Sequence, residues 1–306
     1  MKFDPNITKF AGHETFHLRY RWLTKGFRAL TKDPKIFETA NATIALGVGK
    51  NMVTSIRYWL RACQIIENES YNATKIGKFI FYEKEGYDCY LEDEATIWLL
   101  HWLIATNPNM ATSLYWFFNK FHKSEFTAEE IQTALGDFIK ASLAGKKPAA
   151  ATIKNDALLI PRMYTQSKGN TNATIEDALD SPLSLLRLIH KTSEGRCYYS
   201  KLESRPTLSL GVFGFAASQL LQARSEKIIP IEDLMYTRND FPALGSIFRL
   251  TENDLLTKLE KLIHYIPDVF EIRETAGIHQ LYRINDVDPF EYLKAHYKQY
   301  VKGKAA

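Results

Sequence analysis

The alternation of apolar and polar positions predicts two helices joined by a tight turn in the N-terminal part of the chain. The first is a short helix over residues 34–45, and the second covers residues 50–66. Two glycines lie in the turn between them, Leu46-Gly47-Val48-Gly49, which suits a helix-turn-helix unit. Short strand-forming runs at residues 78–82 and 88–91 flank a glycine-containing turn and predict a β-hairpin. This order of elements predicts a winged helix.

The same order returns near the C-terminus. A short helix over residues 231–236 precedes a longer one over residues 251–265, for which Thr251 is the expected N-cap. Alternating apolar residues at 269–273 and 278–284 then predict a second hairpin. We therefore expect a second winged helix in this part of the chain.

The segment between the two predicted winged helices is mostly helical in pattern, with one loop rich in turn-forming residues at 167–172. The expected fold class is therefore α+β, mostly α. We expect three domains: an N-terminal winged helix over residues 1–93, a helical middle domain over 94–223 and a C-terminal winged helix over 224–306.

The composition is that of a globular protein. Of the 306 residues, 45% are hydrophobic and 24% are charged, which excludes a disordered or fibrous chain. The net charge of +4 is too small to indicate a nucleic-acid partner by itself. Three cysteines without CxxC spacing argue against a disulfide framework and a structural zinc site. Because the sequence has no signal-peptide pattern and no apolar run long enough to span a bilayer, we expect a cytoplasmic protein.

The predicted helix over residues 50–66 carries a row of polar side chains. At about 100° per residue, Lys50, Thr54, Arg57 and Arg61 fall within an arc of about 60°, away from the apolar residues that would pack inward. No acid lies between Lys50 and Arg61, so pairing within the helix does not explain the cations. Lys and Arg neutralise phosphates, and the second helix of a helix-turn-helix unit docks in the major groove.

Asn51 lies in the first turn of this helix, where backbone N–H groups attract phosphate. We therefore predict that this helix binds DNA, the cations acting mainly through phosphates. The DNA-binding residues would be Lys50, Asn51, Thr54, Arg57 and Arg61. An ordinary solvated surface helix is the alternative, and winged helices also mediate protein contacts.

A histidine beside a carboxylate, in Gly12-His13-Glu14-Thr15-Phe16, is the first candidate for chemistry. His13 could act as a catalytic base and Glu14 as a metal ligand, with Arg19 as a further DNA contact. The alternative is structural, with Glu14 near the positive end of a helix and Phe16 in the core.

Lys154 and Asp156 form the second candidate site, and Asp177 and Asp180 follow later in the chain. In metal-dependent nucleases a Lys stabilises charge on the phosphate and a carboxylate such as Asp156 holds Mg²⁺ or Mn²⁺. The match is loose, because these residues lack the spacing that such sites use on paired strands. A further acidic run at residues 92–94 begins a predicted helix; capping explains it better than a metal does.

Several of these motifs occur together in one order. The order along the chain is Gly12-His13-Glu14-Thr15-Phe16, then Leu46-Gly47-Val48-Gly49-Lys50-Asn51, then Tyr90-Leu91-Glu92-Asp93, and last Trp98-Leu99-Leu100-His101-Trp102. This set resembles the SspB family, a bacterial family with a domain of unknown function from single-stranded DNA phosphorothioation systems. Asp180-Ser181-Pro182-Leu183 resembles that family as well.

The resemblance implies a component that nicks double-stranded DNA. It would work with a cysteine desulfurase, an ATP-dependent sulfur-transfer enzyme and an ATPase, and the nick would let sulfur replace a non-bridging oxygen and so mark host DNA for antiphage defence. We therefore expect a metal-dependent DNA nickase. The alternatives are a non-catalytic DNA-binding adaptor that recruits the sulfur-transfer enzymes, and a protein-interaction scaffold without DNA affinity.

Overall fold

The structure, a computed structural model, describes residues 1–166, 181–193, 195–275 and 277–305. Most of these residues are helical. The helices, numbered in chain order, are α1 (Trp22–Lys32), α2 (Ala42–Leu46), α3 (Lys50–Ala62), α4 (Lys75–Phe81), α5 (Glu94–Ala105), α6 (Thr112–Lys120), α7 (Ala128–Ser142), α8 (Ala150–Tyr164), α9 (Leu210–Arg224), α10 (Glu232–Met235), α11 (Leu244–Phe248), α12 (Glu252–Tyr265) and α13 (Phe290–Ala305). Residues Ile36–Glu38 and Pro182–Leu186 form short 3-10 helices.

The strands of the described residues form two small antiparallel sheets. One sheet has the order β1-β3-β2, and the other has the order β4-β6-β5. Their strands are β1 (Glu125–Phe126), β2 (His190–Lys191), β3 (Tyr198–Tyr199), β4 (Ile228–Pro230), β5 (Phe270–Thr275) and β6 (Ile278–Arg283). The predicted fold class, α+β and mostly α, is confirmed.

The chain forms two compact units. The large unit comprises Asp4–Phe117 and Lys123–Lys201, and the small unit comprises Met1–Phe3, Phe118–His122 and Leu202–Ala306. These limits differ from the boundaries expected after residues 93 and 223, and the division into three domains stays a prediction.

In the large unit, α1 packs closely against α3 at Gly26. A Cβ built on Gly26 would come within 2.6 Å of Cγ2 of Ile56 and 2.9 Å of Cδ1 of Leu60, so only glycine allows this approach. The turn between α2 and α3 contains Gly47 in the left-handed region, at φ 57°, which glycine adopts without strain. The predicted helix, glycine turn and helix are therefore present, although both helices are shorter than the expected 34–45 and 50–66.

The hairpin predicted over residues 78–91 is wrong. Residues 75–81 form α4 instead, and Thr74 caps it by accepting a hydrogen bond from the N–H of Gly77 at 3.0 Å. A Cβ on Gly77 would lie 2.1 Å from the carbonyl oxygen of Ile65, so α4 lies directly against the backbone there. Capping and tertiary packing override the strand preference of these residues, and they form no wing.

Helix α5 lies in the core of the large unit, where every residue from Ala95 to Ala105 is buried. Asp93 caps it by accepting from the N–H of Ala95 at 2.9 Å, as the acidic run predicted. His101 is buried as well, and its Nδ1 lies 2.8 Å from the hydroxyl of Tyr164. Among the described residues, no helix has both the length and the apolar character needed to cross a membrane.

In the small unit, α9, β4, three helices and the β5–β6 hairpin follow one another in the chain, with β6 paired between β4 and β5. The N-cap of α12 is Thr251, whose side chain accepts from the N–H of Asp254 at 3.2 Å. The helix and hairpin predicted for this part of the chain are confirmed; the winged-helix arrangement as such stays a prediction.

Candidate nucleic-acid interface

Helix α3 presents the predicted polar row away from its packed face. Lys50 and Asn51 are exposed, and Thr54, Arg57 and Arg61 are half-buried. The other face packs inward, where the exposed fractions are 9% for Val53 and 0% for both Ile56 and Leu60. The amphipathic pattern of the sequence therefore sets the orientation of this helix.

The cations of α3 are not neutralised by acids in the part of the chain that the structure describes. Lys50, Arg57 and Arg61 form no ion pair there, and the guanidinium of Arg61 lies 5.2 Å from the ring centroid of Tyr71. Helix α3 begins after Gly49, and no side chain caps its first turn. Its first N–H groups and the positive end of the helix dipole therefore add to the charge of the row.

Three residues of the row line one wall of an open groove of about 520 Å³, which we call the α3 groove. Its opposite wall comes from the irregular segment that precedes α1. The lining residues are Lys9, Phe10, Ala11, Gly12, Glu14, Thr54, Arg57, Tyr58, Arg61, Asn68 and Met110. The fold thus brings Glu14, predicted as a metal ligand, beside the predicted DNA-binding arginines. Lys9 adds an exposed cation, which helical periodicity could not predict because Lys9 lies outside the helices.

His13 and Asp156, predicted in two separate sites, form one buried pair. His13 Nε2 lies 2.9 Å from Asp156 Oδ1, and both side chains are 1% exposed. The N–H of Thr15 donates to His13 Nδ1 at 3.1 Å. Because Nδ1 accepts this hydrogen bond, we assign the proton to Nε2, which donates to the carboxylate. Both ring nitrogens are thus engaged, and the pair lies behind the wall of the α3 groove.

This pair holds a strained segment in place. Ala11, Glu14 and Thr15 adopt positive φ angles of 55°, 49° and 66°, a conformation that costs a non-glycine residue on the order of 1 kcal/mol or more. Asp156 Oδ1 also accepts from the N–H of Ala11 at 2.9 Å. One carboxylate on α8 therefore binds the turn that presents Glu14 at Ala11 and, through the His13 ring, is linked to Thr15.

Tyr58 supports the same segment from α3. A Cβ on Gly12 would lie 2.4 Å from Cδ2 of Tyr58, so the chain passes directly over the ring. His13 contacts Tyr58 edge-to-face at 6.0 Å and stacks on Trp59 at 6.5 Å between ring centroids. Burial, and secondarily the charge of Asp156, raises the pKa of Tyr58 well above its ordinary value, so the phenol stays protonated.

Lys154 and Arg19, two further predicted site residues, lie apart from both the α3 groove and the His13–Asp156 pair. Lys154 is exposed on α8, and its position two residues from Asp156 directs the two side chains to different faces of the helix. Arg19 is 6% exposed, and its guanidinium lies 5.7 Å from the ring of Phe16 and 5.2 Å from that of Trp22. It is therefore not one of the surface cations.

The two residues predicted as metal ligands, Glu14 and Asp156, lie in different surroundings. No group of three His, Cys, Asp or Glu side chains suited to a metal occurs among the described residues. Asp156 is engaged by His13 and by the backbone, which leaves Glu14 as the carboxylate of the α3 groove. Mg²⁺ prefers several oxygen ligands, and a magnesium site at Glu14 and Asp156 stays a prediction. Asp177 and Asp180 lie outside the described residues.

The fold and the α3 groove define a mostly helical α+β protein with a basic helix on its surface. The chain belongs to the family of proteins of unknown function DUF4007, which it matches over residues 10–297. A comparison with curated proteins gives no match.

Two solved structures are similar to almost the whole chain. One is an SspB crystal structure, 26% identical, and the other is a magnesium ion-bound SspB crystal structure, 27% identical. Each has a TM-score of 0.80 and covers 95% of this chain and 88% of the SspB chain. The family resemblance expected from the sequence is therefore confirmed.

Proposed function

We propose that this protein binds DNA through the α3 groove, as a component of a DNA phosphorothioation system in antiphage defence. The observation that carries the proposal is the row of cations on α3, which is turned outward and has no ion-pair partner among the described residues. Like charges one turn apart on a helix repel one another. A polyanion relieves this repulsion and gains contacts to Lys50, Arg57 and Arg61.

Helix α3 has the size and position of a major-groove helix. Its 13 residues extend over about 20 Å, and it follows α2 through a tight turn, as in helix-turn-helix proteins. Asn51 and the uncapped first turn lie at its N-terminal end, where such helices approach the bases. Arg57 and Arg61 lie further along and are placed to contact phosphates.

The element order of the small unit supports a second winged helix there. A helix, a strand, further helices and a hairpin, with the sheet order β4-β6-β5, are the parts of that arrangement. Its helix α12 begins with Glu252 and Asp254 and contains no exposed row of cations. Of the two helices, α3 is therefore the one suited to DNA.

Single-strand nicking is the reaction we propose for the bound DNA. It rests on the likeness to SspB, of which one similar crystal structure holds a magnesium ion. Glu14 is our candidate residue for this reaction, because it lines the same groove as Arg57 and Arg61. His13 and Asp156 act through Glu14 as positioning residues. The cysteine desulfurase, the ATP-dependent sulfur-transfer enzyme and the ATPase are the expected partners.

A non-catalytic DNA-binding adaptor that recruits the sulfur-transfer enzymes is the second candidate. One observation favours it: the described parts of the chain contain no cluster of metal-ligating side chains. Both candidates share the binding of DNA by α3, and they differ in whether the backbone is cut.

The test of DNA binding is the salt dependence of the affinity for a fluorescent duplex of about two helical turns. Each lost phosphate contact reduces the slope of log K against log salt by about 0.9, so Arg57→Ala with Arg61→Ala should reduce it by up to about 1.8. The matched control removes two exposed cations elsewhere in the large unit, Lys140→Ala with Lys146→Ala. An equal slope for the arginine variant, the control and the parent would overturn the proposed interface.

The test of nicking uses supercoiled plasmid with the purified protein and Mg²⁺. An open-circular product that EDTA abolishes and Glu14→Gln strongly reduces supports a nickase with Glu14 in its site. Intact plasmid, with DNA binding preserved in the presence of the partner proteins, supports the adaptor. If Glu14→Gln, His13→Ala and Asp156→Ala all nick as the parent does, nicking stands but its site lies elsewhere.

A further inference from the structure

A second row of cations lies on α1, outside the α3 groove. The row consists of Arg21, which immediately precedes α1, and of Lys25, Arg28 and Lys32 within the helix. They follow one another at intervals of four, three and four residues. At about 100° per residue these positions fall within an arc of about 60°. Arg21, Lys25 and Lys32 are exposed and Arg28 is half-buried, whereas the opposite face of α1 is packed in the core.

The sequence of α1 contains no acid that could pair with this row. Arg21, Lys25 and Lys32 form no ion pair in any part of the chain that the structure describes. Arg28 is the exception, because its Nε lies 3.4 Å from a carboxylate oxygen of Glu83. Like-charged side chains at (i, i+4) destabilise a helix, so an anionic partner would relieve this repulsion, as it would for the row on α3.

The row lines a groove of about 1020 Å³, which we call the α1 groove. Its other lining residues include two tyrosines, Tyr20 and Tyr90, the apolar Ile36 and Ala45, and the acids Asp33 and Glu92. The four cations thus exceed the two acids. Cations interleaved with aromatic rings are typical of surfaces that follow a nucleic-acid backbone.

Tyr90 is held in position although it is 59% exposed. Its hydroxyl accepts a hydrogen bond from Nη2 of Arg28 at 2.8 Å, and the guanidinium lies 5.0 Å from its ring centroid. The loop that carries Tyr90 is tied to α1, since Thr24 Oγ1 donates to the carbonyl of Cys89 at 2.6 Å. The aromatic ring therefore faces the groove on a rigid support, which lowers the entropy lost on binding.

The α1 groove borders the turn that leads into α3. Ala45 of α2 lines it, and a Cβ on Gly47 would lie 4.0 Å from Nζ of Lys25. Lys50 and Asn51 follow this turn directly. In helix-turn-helix complexes, helices outside the major groove cross the sugar-phosphate backbone beside it.

We propose that the α1 groove binds a phosphodiester backbone next to the DNA segment held by α3, with Lys25 and Lys32 neutralising phosphates and Tyr90 stacking on a sugar or a base. The ligand is a nucleic-acid strand, either one strand of the duplex or an unpaired segment beside it. This inference rests on the proposed DNA binding by α3.

The experiment compares the Lys25→Ala, Lys32→Ala double variant with the parent, using a fluorescent duplex and a fluorescent single-stranded oligonucleotide. Both lysines are exposed, and their side chains have no hydrogen bond or ion pair with described residues, so the variant should fold. The salt slope should fall by about 1.8 on the duplex, or by about 1.4 on the single strand. The probe that shows the change identifies the kind of strand bound.

Two comparisons keep this inference separate from the proposed function. An unchanged slope on both probes, while Arg57→Ala with Arg61→Ala lowers it, overturns the α1 groove and leaves DNA binding by α3 standing. If the parent binds neither probe, both proposals fail. Lys140→Ala with Lys146→Ala is again the matched control, and a slope change of equal size in this control also overturns the assignment.

Discussion

Replacement of Asp156 should destabilise the large unit, because this carboxylate is a buried acceptor that joins two distant segments. It is 1% exposed and accepts from the N–H of Ala11 and from His13 Nε2, both at 2.9 Å. Asp156→Ala leaves the buried Nε2–H of His13 and the half-buried N–H of Ala11 without this acceptor, at about 1–3 kcal/mol each. Removal of a buried charge offsets part of that loss, so we expect the free energy of unfolding to fall by about 2–4 kcal/mol.

Tryptophan fluorescence during urea unfolding isolates this effect, because all five tryptophans of the chain belong to the large unit. They are Trp22, Trp59, Trp98, Trp102 and Trp116. The control is Asp137→Ala, which removes an exposed carboxylate 3.4 Å from Lys140 and should cost less than about 0.5 kcal/mol.

Hydrogen exchange supplies a local readout of the same substitution. The amides of Ala11 and Thr15 should exchange faster in Asp156→Ala, whereas Asp156→Asn, which keeps an acceptor oxygen, should show a smaller change. If Asp156→Ala unfolds at the same urea concentration as Asp137→Ala and those amides stay protected, the carboxylate does not hold the segment and our account of the site is wrong.

Two further predictions concern the support of the groove by Tyr58. Gly12→Ala places a Cβ 2.4 Å from the Tyr58 ring and should lower the free energy of unfolding by about 1–3 kcal/mol, measured by fluorescence-detected unfolding. The control is Gly136→Ala in α7, where no atom lies near the added Cβ, and it should raise the free energy of unfolding by about 0.5–1 kcal/mol. Equal effects of the two substitutions would contradict the close contact. Burial raises the pKa of Tyr58 in the folded state above the value of about 10 that it has in the unfolded chain. The contribution of the Tyr58 hydroxyl to the free energy of unfolding is therefore fully present below about pH 10, and it is lost as the pH rises above that value. Tyr58→Phe should therefore make the alkaline loss of stability less steep while changing stability near pH 7 little, and parallel stability–pH curves for the variant and the parent would refute this.

The sequence by itself determined the features that depend on neighbours along the chain. The period of apolar residues in 50–66 gave α3 and its outward row, because a helix places residues three and four apart on one face. The acidic run before α5 and Thr251 before α12 gave two N-caps, since capping joins residues within one turn. The row on α1 has the same period and the same lack of acids, so it too could have been found from the sequence.

Only the tertiary structure decided what depends on residues far apart in the chain. His13 and Asp156 are 143 positions apart, and no local pattern indicates that they pair. Residues 78–82 have strand-forming side chains, yet they lie in and just after α4, because Gly77 packs against the backbone of Ile65. The chemistry of side chains and their helical period can be read from neighbouring residues in the sequence. The burial and pairing of side chains depend on which distant segments the whole fold brings together.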